Sequence, residues 1–397
     1  MQPLFLNRYT VASSAGIGLD ATARALADMR SGLAPCAFET VRLDTSVGEI
    51  ADPLLAPVRQ DLAEFDCRNN RIAQLCLRQD GFAQSVEAAR EKYGAARIGV
   101  FMGTSTSGIL ETELAYRRRD AVGALPTDFR YATTHNTYSV AWFVQSYFGL
   151  SGPSVAISTA CSSSAKAFGS AARMITAGLC DAAVVGGVDS LCLTTLYGFG
   201  SLGLLSPVAC RPFAADRNGI SIGEGAGMVL LEKKAAGRTA DSIALLGIGE
   251  SSDAYHMSTP HPEGLGARMA MEQALASAGL RSDAIDYINL HGTGTRTNDA
   301  MEDKAVCAVV GSATPCSSTK GWTGHTLGAC GAIEAIICAL AVEHGFIPGS
   351  VNTRTIDPEL GLNYRISHEH APVGITMSNA FGFGGTNCSL VLGRSRQ

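Results

Sequence analysis

Charge is scarce in this sequence. Only 17% of the 397 residues are Asp, Glu, Lys or Arg, and the net charge is −5. Non-specific nucleic-acid binding needs a broad basic surface, so that class of partner is excluded. Disorder is excluded too, because 46% of the residues are hydrophobic and supply a large core. No basic segment leads into an apolar run at the start, so no targeting leader is expected. The most apolar stretch, 326–342, contains Glu334 and many Gly and Ala residues. It falls short of the ~20 apolar residues of a membrane span and predicts a buried core helix. None of the twelve cysteines is spaced C-x-x-C, so neither a zinc motif nor a disulfide framework is expected. They read as small core hydrophobes in a reducing cytoplasm. His368 and His370 flank Glu369 in a polar stretch that reads as a solvated loop rather than a ligand pair, so no metal is expected. There is no Gly-Lys dipeptide and hence no P-loop. A serine-hydrolase elbow is not expected, since Gly103-Thr104-Ser105-Thr106-Ser107 misses the pattern by its last residue. Residues 198–203 fit G-x-G-x-x-G by letter but lack a βαβ frame, and read as a turn.

Glycine, by contrast, is abundant: 44 residues, well above the usual ~7%. Short β-type runs at 98–103, 155–159, 182–188, 228–231, 244–248, 287–290, 375–377 and 388–392 alternate with helical patterns. The helices are expected at 19–29, 163–177, 267–277, 299–310 and 328–343. This alternation predicts an α/β fold in layers. Gly169, Ala171 and Ala172 in one helix, and Gly331, Ala332, Ala335 and Ala339 in another, suit close backbone packing. Each half thus offers a strand, a sharp turn and a small-residue helix, which suggests a duplication into 1–240 and 241–397.

Cys161 stands between a β-type run and an Ala-rich helix, in VAISTACSSSAKAFGSAARMI. A thiol at a helix N-terminus gains thiolate character from the dipole, and Ser162, Ser163 and Ser164 are candidates to cap the amides. Two of only eight histidines stand in glycine-rich frames, His291 in NLHGTGT and His325 in KGWTGH. A buried structural Cys and core histidines remain the bland alternative for each residue taken singly. Together they form a catalytic constellation on loops.

The stretches STACSSS, RPFAADRNGISIGEGAG, SSDAYHMSTP, HGTGTRTND, KGWTGHTLGACGAIE and NAFGFGGTN follow one another along the chain. In these the sequence resembles the β-ketoacyl-acyl-carrier-protein synthases of the Cys-His-His kind, in the thiolase-like superfamily. The resemblance implies a five-layered αβαβα fold of two similar halves, and decarboxylative Claisen condensation of an enzyme-bound acyl chain with malonyl-carrier protein. It implies no cofactor beyond the carrier's own phosphopantetheine. Cys161 would be the nucleophile, with His291 and His325 assisting decarboxylation and Lys320 and Glu334 as polar support. The amides of Cys161 and Phe383 would form the oxyanion hole. Thr293 and Thr295 would bind the pantetheine arm, and Thr106 and Phe199 would line the acyl pocket. The loop Gly382-Phe383-Gly384-Gly385 and the loop of Asp253 would act as gates. Asp299 and Glu302 would order the His291 loop.

Ala214, Ile220 and the order Ser258-Thr259 depart from the commoner family form and bear on substrate preference. An acidic carrier protein needs local positive charge, for which Arg68, Arg71 and Arg211 are the candidates, ahead of Arg117-Arg118-Arg119. CRNNRIAQLCL, GTSTSGILETELAYRRRD and GVDSLCLTTLYGFGSLGLLS also resemble ketosynthases of aryl-polyene pathways. That likeness implies either a homodimer or a heterodimer with a chain-length-factor-like subunit. Two alternatives stay open: a non-catalytic chain-length-factor-like chain, which would lack the nucleophile, and a thiolase acting on CoA thioesters, which would need a second catalytic Cys.

Overall fold

The computed structural model describes residues 1–234 and 242–395. Its main sheet has twelve strands, eleven of them on one path. These are β1 (Leu4–Ser13), β2 (Ile98–Gly103), β3 (Ser154–Ile157), β4 (Ala182–Asp189), β5 (Gly225–Glu232), β6 (Ile243–Ser252), β7 (Tyr287–Asn289), β8 (Pro315–Ser317), β9 (Asn363–Tyr364), β10 (Ile375–Gly382) and β11 (Thr386–Arg394). Outward from the centre the order is β1-β5-β4-β2-β3 on one side and β6-β11-β10-β7-β8-β9 on the other. In both directions the first two junctions are antiparallel and the next two parallel. The second half therefore repeats the first strand for strand, with β9 added at its edge. β1 and β6 join the halves antiparallel, with Leu4 opposite Leu245. The expected boundary at 240/241 lies outside the described residues.

Helices α1 (Arg68–Leu77) and α2 (Ser139–Tyr147) cover one face of the first half-sheet. α4 (Leu265–Ala278) and α5 (Arg296–Val310) cover the opposite outer face, on the second half-sheet. Between the half-sheets lie α3 (Ser163–Thr176) and α6 (Cys330–His344), giving the layers α-β-α-β-α. Every residue of α6 from Cys330 to Val342 is buried, as expected of a helix apolar all round. Leu327–His344 is long and apolar enough to cross a membrane, yet it is almost wholly enclosed by the fold. The two central helices touch through small residues: a Cβ added to Gly331 would lie 2.7 Å from the Ala165 nitrogen.

The strands expected from sequence all form, and β2 has the expected ends. The central strand β1 was not expected, because Asn7 and Arg8 interrupt its apolar pattern. α1 and α2 are likewise unanticipated, their apolar residues being interleaved with Asn, Gln and Ser. Residues 198–203 are not simply a turn, since Gly198 and Gly200 belong to a helix over Leu193–Ser201. His368 is not in a solvated loop either: its ring stacks on Phe346 at 5.0 Å, beside a two-residue strand, Glu369–His370.

Candidate active site

The turn from β3 to α3 holds Cys161. Ala160, just before it, takes φ +52°, a left-handed conformation that costs a residue with a Cβ about 1–2 kcal/mol. The hydroxyls around it hold the turn rather than cap α3, contrary to the sequence expectation. Ser163 Oγ accepts the Thr159 amide at 2.9 Å and donates to the Ala160 carbonyl at 2.6 Å. Ser162 Oγ lies 2.9 Å from the Thr159 carbonyl and from Thr386 Oγ1. Ser164 Oγ accepts the Ala332 amide at 2.9 Å, tying α3 to α6. Only glycine fits beneath: a Cβ on Gly103 would meet the Ser164 nitrogen at 2.3 Å.

Two carboxylates from α5 secure the His291 loop. Glu302 accepts the amides of His291 and Gly292, each at 2.7 Å. Asp299 accepts those of Phe213 at 2.8 Å and Gly294 at 3.2 Å. Their role is the ordering one expected of them. The backbone of the Ser221 strand segment holds His325, whose amide donates to the Ser221 carbonyl at 2.7 Å while its own carbonyl accepts the Gly223 amide at 3.0 Å. The letters G-x-S-x-G do occur at 219–223, but Ser221 is fully buried and its Oγ accepts the Cys210 amide. It is a support, with no strand–helix elbow around it.

These elements bring Cys161, His291 and His325 together from the two halves. His325 Nε2 is 3.0 Å from Cys161 Sγ, and the two imidazoles stand 5.3 Å apart at 82°. Burial, and then the Lys320 charge, hold both histidines well below their usual pKa, so both are neutral. Lys320 pairs with Glu334 at 2.5 Å in the interior. Burial opposes its charge, but Glu334 outweighs it and keeps Lys320 protonated. The thiolate expected from the helix dipole is not what the geometry favours. Burial pushes Cys161 up to about 11, against the pull of Lys320 and the amides of Phe383 and Cys161. The resting group is a thiol. Those same two amides are the pair expected to form an oxyanion hole.

A cavity of about 280 Å³ opens above the triad. Phe199, Leu202, Leu204 and Ile220 form its apolar wall, and Thr293 and Thr295 its polar wall. The 382–385 loop and Asp253 line it as well. Phe383 packs on Phe199 at 5.8 Å and stays 36% exposed. Gly384 and Gly385 take φ +82° and +73°, conformations natural only to glycine. The two expected gates are tied together: Asp253 donates its amide to the Gly385 carbonyl at 2.8 Å and accepts from Asn387 at 2.8 Å.

Other expected site residues lie elsewhere. Thr106 does not line the cavity; its hydroxyl donates to Asp189 Oδ1 at 2.8 Å. Asp189 is a residue the sequence reading missed. Fully buried, it accepts the amides of Ser105 and Thr106 and the hydroxyls of Thr104 and Thr106. Ser105 Oγ in turn donates to the Ala160 carbonyl at 3.2 Å, so this carboxylate steadies the nucleophile's turn from below. No local pattern marks it, because its partners lie more than eighty residues away. Arg68 cannot dock a partner: it is an internal cation, 2.6 Å from the fully buried Glu224 and also bound to Asp52. Arg71 is paired with Asp66 at 2.7 Å, Arg117 with Glu39 at 3.5 Å and Arg118 with Asp128 at 2.8 Å. Arg211 pairs with the exposed Asp216 at 2.5 Å, and its backbone runs beside Gly294 of the His291 loop.

Comparison with known proteins agrees with this geometry. Residues 59–236 match the beta-ketoacyl synthase N-terminal domain and residues 243–354 the C-terminal domain. The chain is 34% identical over 357 residues to 3-oxoacyl-[acyl-carrier-protein] synthase 2 of Vibrio cholerae, covering 83% of this chain and 86% of the relative. It is 37% identical over 305 residues to nodulation protein E of Rhizobium meliloti, covering 75% of each. In structure it matches the ketosynthase ApeO, solved in complex with its chain length factor ApeC from Xenorhabdus doucetiae. That match has a TM-score of 0.91, 38% identity, and covers 99% of this chain and 98% of that one. With a buried thiol and two neutral histidines converging beneath one cavity, and both domains of the family present, the chain belongs to the beta-ketoacyl synthases.

Proposed function

We propose that this chain lengthens an acyl group held on Cys161 by decarboxylative condensation with malonyl-carrier protein. The observation that carries the reading is the convergence of Cys161 Sγ with His291 and His325, all buried, in a cavity lined also by the glycine-rich 382–385 loop. In the loading step Cys161 Sγ attacks the acyl thioester and its proton passes through water to the departing carrier sulfur, so that His325 keeps its Nε2–H. The amides of Cys161 and Phe383 receive the oxyanion, and the carrier thiolate leaves with the proton. Malonyl thioester then enters along Thr293 and Thr295. Loss of carbon dioxide leaves an enolate, whose oxygen the neutral imidazoles of His291 and His325 face as hydrogen-bond donors. The enolate carbon attacks the Cys161 thioester, Cys161 is expelled as the thiolate, and a proton taken up from water restores the thiol as the β-keto product departs.

Carrier docking is assigned to Arg211 and Arg296. Arg296 is exposed between the cavity residues Thr295 and Thr297 and has no salt bridge among the described residues. The partner subunit is assigned to the β3 edge, which is half-buried, pairs only with β2 and ends the sheet. Tyr131, Tyr138 and Trp142 are exposed in the same half. ApeO is seen with a chain length factor, and a chain-length-factor-like subunit is the partner we infer here, with an aryl polyene as product class. A non-catalytic role for this chain is disfavoured by the complete triad, and a thiolase by Cys388, which is fully buried in β11. We place the protein in the cytoplasm, in keeping with twelve free cysteines.

Mixing the protein with acyl- and malonyl-carrier protein and following products by mass tests the reading. Extension by two carbons is expected. Homodimers that extend saturated chains alone would overturn the partner and polyene assignments.

A further inference from the structure

Cys161 Sγ and one nitrogen from each of His291 and His325 lie within 4.8 Å of one another. The sulfur and His325 Nε2 are already 3.0 Å apart, and the two rings meet nearly at right angles. A tetrahedral zinc ion takes sulfur at ~2.3 Å and nitrogen at ~2.0–2.1 Å, which separates such ligands by roughly 3.5 Å. The Cys161–His325 pair would open by about half an ångström, and the pairs with His291, which lie within 4.8 Å, would close by up to about 1.3 Å. All three side chains border the cavity, which leaves a fourth position open to water. His291 Nδ1 and His325 Nδ1 are buried without hydrogen-bond partners, so no hydrogen bond at those atoms resists a small ring rotation.

We propose that Cys161, His291 and His325 form a reversible inhibitory site for a soft divalent cation of the zinc type, available only while Cys161 is not acylated. Binding replaces the thiol proton: Cys–SH and aqueous Zn²⁺ give Cys–S–Zn⁺ and one proton released to water, with no change of oxidation state. A second trio, His291, Cys330 and Glu334, is equally close. Recruiting Glu334 would strand the buried Lys320 ammonium, at a cost of several kcal/mol. The ion therefore sits on the Cys161 side. Lys320 repels it there, and the thiolate charge and Glu334 offset that repulsion. This inference rests on the reading of Cys161 as the group that is acylated.

The test is zinc titration of the metal-free protein against a chromophoric chelator, with Co²⁺ as a spectroscopic probe. One zinc per chain, one proton released and a thiolate-to-cobalt charge-transfer band are expected. Losing an outer partner of a metal ligand already costs ~10–100-fold in affinity. Cys161→Ser, checked for folding by circular dichroism, should therefore weaken zinc by more than ~100-fold and abolish the band, whereas Cys330→Ala should keep it. Prior acylation of Cys161 should block binding, and chelation should restore condensation. Zinc binding unchanged in Cys161→Ser, or a band that disappears in Cys330→Ala, would overturn the site. Cys161-dependent zinc binding in a protein that never condenses would leave the metal site standing and sink the proposed activity instead.

Discussion

The two repeats hold their catalytic groups by different means. Cys161 sits on a turn fastened by hydroxyls, with Ser163 bridging the Thr159 amide and the Ala160 carbonyl. His291 sits on a loop fastened by buried carboxylates, with Glu302 and Asp299 each taking two amides. A hydroxyl that both donates and accepts fixes a strained φ over a short range. A buried carboxylate organises several amides at once, but its own desolvation is the larger cost. The nucleophile's turn after β3 has thus been secured with small neutral groups where the backbone is strained, and the His291 loop after β7 with charge where a neutral imidazole must be oriented.

The largest expected effect removes the N-terminal contribution outright. Cys161→Ala should form no condensation product by mass analysis, and His325→Ala should lower kcat by about 10²–10⁴-fold. Wild-type turnover in Cys161→Ala would end the mechanism. The contrast in fastening comes next. Glu302→Ala strands two buried amides at ~1–3 kcal/mol each, whereas Ser163→Ala should cost only ~1–2 kcal/mol in denaturant unfolding. Equal losses would erase the distinction drawn above.

Asp189 is a buried carboxylate on the cysteine side. Asp189→Asn removes a negative charge that raises the Cys161 pKa. The pH midpoint of Cys161 alkylation should then move down from about 11 in a variant whose Tm is unchanged, since loosened packing would hydrate the thiol and lower it too.

The smallest effect is on stability against pH. Both histidines have folded pKa values below their unfolded ~6.5. The unfolded chain therefore takes up more protons as pH falls through that value. Each histidine should withdraw up to ~1.4 kcal/mol per pH unit below it. Replacing both with Gln should flatten the acid limb of a Tm–pH curve.

The convergence of Cys161, His291 and His325 beside the glycine-rich 382–385 loop was legible because each lies in a short local pattern. Strands with uniform apolar runs, such as Ala182–Asp189, were legible for the same reason. β1 was not, since its Asn7 and Arg8 break the pattern and its central place depends on β5 and β6 on either side. Arg68 and Thr106 were misplaced because exposure is a property of the surroundings. Only the fold shows Glu224 reaching Arg68 across 156 residues and Asp189 reaching Thr106 across 83.

The sequence by itself determined which residues the proposed chemistry draws on, since side-chain type, glycine frames and order along the chain are local properties. Tertiary structure decided their state. Placing α3 and α6 back to back between two half-sheets buries Cys161 as a thiol and both histidines as neutral rings. Protonation follows solvation and neighbouring charge, and neither exists until the two halves have packed together.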